Sequence, residues 1–180
     1  MQQQKNIHGQ AEEKAKMAIA AVHPEAKLLL YLIDQAFDKP AWHGPNLRNS
    51  VRGLSADEAA WRPAPGRHNI WEVAVHAAYW KYVAARRLTG DKETAFPHKG
   101  TNWFSLPPPP DENSWREDIA LLEQLHSSLR EAVKGVPASE LYKPARGSRQ
   151  INATLIIGIA SHDLYHAGQI RLLRRLREKA

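Results

Sequence analysis

The chain has 180 residues, 43% of them hydrophobic and 24% charged, with a formal net charge of +6. That length allows one domain with a core of its own, and no apolar run approaches the roughly 20 residues needed to span a bilayer. The absence of cysteine excludes disulfides, thiolate ligands and a cysteine nucleophile, and agrees with a cytoplasmic protein.

The first 22 residues, from the stretch MQQQKNIHGQAEEKAK onward, read as a tail or a loosely docked helix. They lack the continuous apolar core of a signal peptide, and Glu12 and Glu13 argue against a transit peptide. A helical domain is expected over residues 23–180. Its first helix runs from Pro24, suited to a first helical turn, to Phe37, with Leu29, Ile33, Ala36 and Phe37 at helical spacing and Pro40 just beyond. In the Trp42–Asn69 connector, Ser55-Ala-Asp-Glu58 has the capping-box pattern of a short helical turn. The second long helix opens at Asn69, with Glu72 as its box partner, and stops near Gly90. The run Pro107–Pro110 reads as a stiff connector. The third helix is expected to open at the box Ser114-Trp-Arg-Glu117 and to end near Gly135, and the fourth covers about Ala153 to Arg177. No segment sustains period-2 alternation, so no sheet is expected. Four amphipathic helices in one domain predict an all-α four-helix bundle, in which metal sites are built from inward side chains on facing helices.

The chemistry concentrates on the last helix. Its inward seam reads Leu155, Ile159, His162, His166, Ile170 and Leu173, with gaps of 4, 3, 4, 4 and 3. Two imidazoles one turn apart in an apolar seam must satisfy their ring nitrogens away from water, and the i, i+4 spacing brings both rings to one point, as in helices that hold a metal. Such a pair calls for a third ligand. His76 lies within about 60° of Val73, Trp80 and Val83 on the second helix, at the margin of the apolar arc. Glu72, one turn earlier, is either the cap of this helix or an acid beside the metal, holding a ligand in place or shuttling protons. His126 on the third helix reads as a hydrogen-bonded core or edge residue. His43, just past the first helix, could line a pocket mouth, and Gln169 points the same way as the histidine pair. His8, His23, His68 and His98 fall in tail or loop contexts and carry no signal.

The positive charge does not indicate nucleic-acid binding. The basic residues are dispersed except at the C-terminus, where Arg171, Arg174, Arg175, Arg177 and Lys179 complement the helix dipole. Aromatic-basic interleaving and zinc-finger spacing are both missing. No Gly-rich phosphate loop, nucleophile elbow or carboxylate pair marks a substrate.

The stretch Ile-Trp-Glu-Val-Ala-Val-His76-Ala-Ala-Tyr-Trp80, together with His162-Asp-Leu-Tyr-His166-Ala-Gly-Gln-Ile170, resembles the DinB/YfiT-like superfamily of bacterial four-helix bundles over roughly residues 24–177. The resemblance implies an up-down-down-up bundle in which His76, His162 and His166 hold a divalent ion, commonly nickel, zinc or manganese. Trp80, Tyr165, Gln169 and His43 are the further residues expected around the site or its pocket. The resemblance also implies a metal-dependent hydrolase or an S-transferase using a low-molecular-weight thiol, acting on a small-molecule substrate. Three protein ligands leave coordination positions open, the catalytic arrangement. A non-catalytic protein whose metal pins the bundle is the other reading. Dimers are common in the family. Trp42, Trp61, Trp103 and Trp115 fall in loops or at helix starts, and large aromatics near a surface are enriched at protein contacts, so a homodimer is expected.

Overall fold

The structure is a computed structural model that describes residues 22–105 and 109–179. The expected tail, up to residue 21, and part of the proline connector lie outside those residues. Six α-helices are present among them: α1 Pro24–Phe37, α2 Leu47–Val51, α3 Ala56–Ala60, α4 Ile70–Thr89, α5 Glu112–Lys134 and α6 Asn152–Arg177, with a short 3₁₀ turn at Ala138–Glu140. No strand forms among the described residues; one isolated bridge joins Pro144 to Ile151. No helix among them is long and apolar enough to cross a membrane.

Local chemistry sets most helix ends. Ser55 accepts the Glu58 N–H while Glu58 accepts the Ser55 N–H, and Asn69 and Glu72 make the same reciprocal box on α4. Gly90, at φ 78°, closes α4 in the left-handed conformation that favours glycine. His23, read as carrying no signal, caps α1: its Nδ1 accepts the Ala26 N–H, and its Nε2 donates to the Val136 carbonyl at 2.9 Å. The expected start of α5 is corrected. The helix begins at Glu112, because the Asp111 carboxylate accepts both the backbone N–H and the hydroxyl of Ser114, satisfying the first turn before the expected box. The Trp42–Asn69 connector also holds a helix that the sequence reading passed over, α2, capped by the buried Asn46.

Helix α4 lies at the centre, packed against α5, α6 and α3, while α1 packs on α6 and α5, and α2 on α6. Every residue from Ile70 to Ala78 is buried. His76 is therefore not at the margin of an apolar arc but inside, 5% exposed, because this half of α4 is covered on all sides. Two core clusters share the interior. One gathers Trp71, Val75, Leu122 and Ile170, and the other Leu30, Ile33, Leu129 and Ile156. Each fully buried aliphatic side chain contributes roughly 1.5–3 kcal/mol. Along α6 the change of cluster falls between Ala160 and Ala167, the stretch that carries His162, Asp163 and His166.

The C-terminal basic residues do structural work in part. Arg174 donates to the carbonyls of Ser50 and Arg52 at the end of α2, and Arg177 pairs with Glu58 on α3.

Candidate metal centre

Three imidazoles from two helices meet where α4 faces α6. His162 Nε2 lies 3.1 Å from His76 Nε2 and 3.0 Å from His166 Nε2. These nitrogens form a three-residue group able to hold one ion, its ligand atoms all within 4.8 Å of one another. His76 and His166 are buried and His162 half-buried.

The far side of each ring decides what the near side offers. His76 Nδ1 donates to the Asn102 carbonyl at 2.6 Å, and His166 Nδ1 donates to Gln169 Oε1 at 2.6 Å. Gln169 is in turn held by its amide N–H, which donates to the Tyr165 hydroxyl at 3.0 Å. In the neutral rings, then, both Nε2 atoms present bare lone pairs. His162 has one proton to place. On Nε2 it bridges one neighbour and leaves the other facing it without a proton. On Nδ1 it leaves three lone pairs converging, and this buried Nδ1 has no hydrogen-bond partner. Either way the site holds an excess of lone pairs that no protein donor satisfies, a costly state in a core.

Burial also keeps the rings uncharged. It lowers His162 to about 3, with the neighbouring His166, His76 and Lys81 adding to the effect, and it lowers His166 to about 4 against the opposing Gln169 bond. His76 is lowered as well, mainly by burial. Neutral imidazoles with converging lone pairs are what a divalent ion requires. An ion about 2.0–2.2 Å from each nitrogen joins atoms up to about 4.4 Å apart, and the 3.1 and 3.0 Å separations around His162 fall inside that reach.

An aromatic wall surrounds the cluster. Trp103 stacks on His76, with centroids 3.9 Å apart, and its other face stacks on His68 at 3.7 Å. Trp80 meets His76 and His162 edge-on at 6.3 Å, and Tyr165 meets His166 at 5.1 Å. Beside the cluster a cavity of about 620 Å³ has His166, His68, Trp103, Tyr165, Gln169 and Arg67 in its walls, with leucines of α6 beyond. That volume falls in the range of small-molecule sites.

The remaining candidates divide. Glu72 is the box partner of the capping Asn69 at the start of α4. Burial alone would raise its pKa, but hydrogen bonds from Arg62, His68 and the Asn69 N–H hold it below the ordinary carboxylate value. It is not among the residues that could hold the ion; instead it accepts from His68 Nδ1 at 3.0 Å. His43 is exposed in a different groove, beside Leu164 and Arg171, away from the triad. His126 is a buried core residue, stacked on Phe37 at 3.9 Å with Nε2 3.3 Å from Asp34. Of Trp42, Trp61, Trp103 and Trp115, Trp115 is buried with its N–H on the Leu54 carbonyl, Trp103 lies in the wall just described, Trp61 is half-buried and Trp42 stands 95% exposed.

Sequence reasoning missed His68, Asn102 and Trp103. His68 precedes Glu72 by four residues, a spacing visible in the sequence, while Asn102 and Trp103 reach the site only through the fold of the 98–104 loop. His98, also passed over, contacts Asp118 at 2.6 Å.

Residues 41–170 match the family described as the DinB superfamily. No curated protein and no solved structure matches the chain.

Proposed function

The chain belongs to the DinB superfamily, and from that premise we propose that it is a metal-dependent enzyme, a hydrolase or low-molecular-weight thiol S-transferase, acting on a small substrate in the cavity beside His166. His76, His162 and His166 would hold a divalent ion through Nε2, in a bundle of the up-down-down-up order. The observation that carries the reading is the convergence of three neutral Nε2 atoms next to a cavity of ligand size.

When bound, the ion would supply Lewis acidity toward a water, thiol or carbonyl. The chain's own residues prepare the rest. Asn102 and Gln169 set the tautomers of His76 and His166, as outer partners of ligating histidines do. Trp103 and Trp80 keep water from the buried side of the cluster. His68, in the cavity wall with Nδ1 fixed on Glu72, is the group placed to take or give a proton to a substrate, and Glu72 acts through it as a positioning residue.

Chelation followed by reconstitution with single divalent ions, then assays with activated esters and with thiol-electrophile pairs, tests the proposal. Turnover that needs the ion, falls strongly in His68→Gln and survives in part in Glu72→Gln supports it. An ion that binds and raises the melting temperature while every assay stays flat favours the non-catalytic reading.

A further inference from the structure

We propose that the molecule carries a second ligand site, separate from the histidine centre, that binds a small molecule joining an anionic group to a planar ring. The site is a cavity of about 680 Å³ at the C-terminal end of α4, and none of the three histidines lines it.

Its floor is aromatic. Phe96 lies 5.2 Å from Tyr79, 5.5 Å from Tyr82 and 5.0 Å from Phe104, centroid to centroid. Rings so grouped offer edges and faces to a further planar ring. The rim is cationic: Arg86, Arg87, Lys92, Lys99 and Arg146 all line the cavity, with Asp91 the one carboxylate among the lining residues. Asp91 is already engaged, its carboxylate accepting the N–H groups of Glu93 and Thr94. Arg87, Lys92, Lys99 and Arg146 form no ion pair with the described residues. The C-terminal dipole of α4, about half a charge, offsets only a small part of this excess.

One cation is set in place. Arg86 donates through Nε to the Asp91 carbonyl and through Nη1 to the Tyr82 hydroxyl, both at 2.8 Å, while that hydroxyl donates to the Thr94 carbonyl. Its guanidinium keeps further N–H donors for a ligand. Arg146 lies over the close of α4, so near that a Cβ at Gly90 would meet its Nη1 at 1.9 Å; glycine at 90 both ends the helix and leaves room for this side chain. A fixed arginine and four uncompensated cations above an aromatic floor match an anion on a ring, since charge-assisted bonds hold the anion and stacking holds the ring.

Calorimetric titration of the full chain with phenyl phosphate tests the site, with inorganic phosphate and phenol as separate probes. The expected result is saturable one-to-one binding of phenyl phosphate, about tenfold or more tighter than either probe, unchanged when metal is chelated, and weakened about tenfold or more in Arg87→Gln/Arg146→Gln. If that variant loses its helical circular dichroism, Lys92→Gln/Lys99→Gln, both on exposed residues, carries the same expectation. No saturable binding, binding equal in wild type and the folded variant, phosphate as tight as phenyl phosphate, or loss of binding on chelation overturns the proposal.

Discussion

Two polar islands sit in the same pair of helices and are satisfied in opposite ways. Five positions beyond His76 on α4 lies Lys81, and one beyond His162 on α6 lies Asp163. Lys81 and Asp163 are ion-paired with each other, both 0% exposed. Around them, Lys81 also lies 4.7 Å from the Phe37 ring, Phe37 stacks on His126, and Asp34 bridges His126 and Arg130. This island supplies its own counter-charge, with Asp163 Oδ1 and His126 Nδ1 the atoms in it that lack a hydrogen-bond partner, and it opens into none of the cavities described above. The histidine island has no counter-charge and at most one N–H for its converging lone pairs, and it borders a cavity. Charge closed on itself holds helices together; lone pairs left open beside a cavity ask for an ion.

The closed island gives the largest expected effect. Lys81→Met leaves Asp163 buried without a partner, and desolvation already pushes that carboxyl up to about 6 against the pull of Lys81. The variant is expected to lose about 3–5 kcal/mol in urea unfolding, and Lys81→Met/Asp163→Leu to recover most of it. A mild single variant would show that the pair is not what compensates this region.

Acid separates the islands next. His126, His162 and His166 are held near 2, 3 and 4 in the folded, metal-free chain, all chiefly by burial, against about 6.5 when unfolded. For His126, the charges of Lys81, Arg130 and Lys39 add to burial, and Asp34 is already taken by Arg130. The unfolded chain therefore binds protons that the folded chain refuses. Stability is complete above about pH 6.5 and falls below it by up to about 1.4 kcal/mol per pH unit for each ring. Urea midpoints between about pH 8 and 5 should show this slope, offset in part below about pH 6 by the raised Asp163 carboxyl, and reduced by one ring's share in His126→Gln. A flat profile would mean that the rings titrate normally.

Gln169→Leu sharpens the comparison on the open side. It removes the acceptor that fixes the His166 tautomer, so metal affinity should fall about 10- to 100-fold with the fold intact. Competition with a chromophoric chelator measures it, and unaltered affinity would show that Gln169 has no part in orienting the ring. The smallest expected effect is on stability without metal. His162→Ala in chelated protein should stay within about 1 kcal/mol of wild type, because the ring lost carries an unpartnered buried nitrogen. Loss of helical circular dichroism in that variant would make the imidazole part of the fold's support.

What could be read from the residues was what local spacing encodes. The boxes Ser55–Glu58 and Asn69–Glu72 act over three residues, and His162 and His166 share a face because they lie one turn apart. Asp111 was passed over because Ser114 and Glu117 imitate a box, and the choice rests on which oxygen reaches the Ser114 N–H. The Lys81–Asp163 pair joins residues 82 apart, and nothing local distinguishes it from two solvated charges. Likewise, the stack of His68, Trp103 and His76 exists only once the 98–104 loop folds back over α4. His76 is legible as a partner for the His162–His166 pair but not as a core residue, since a helical wheel shows one face and cannot show that the other is covered.

The central claim is that the three Nε2 atoms hold one divalent ion. A crystal structure of the metal-loaded full chain, with anomalous scattering measured at the absorption edge of the ion found in it, tests this most directly. The account predicts one anomalous peak about 2.0–2.2 Å from His76, His162 and His166 Nε2. A peak elsewhere, or three rings without a peak between them in protein shown to contain stoichiometric metal, would contradict it.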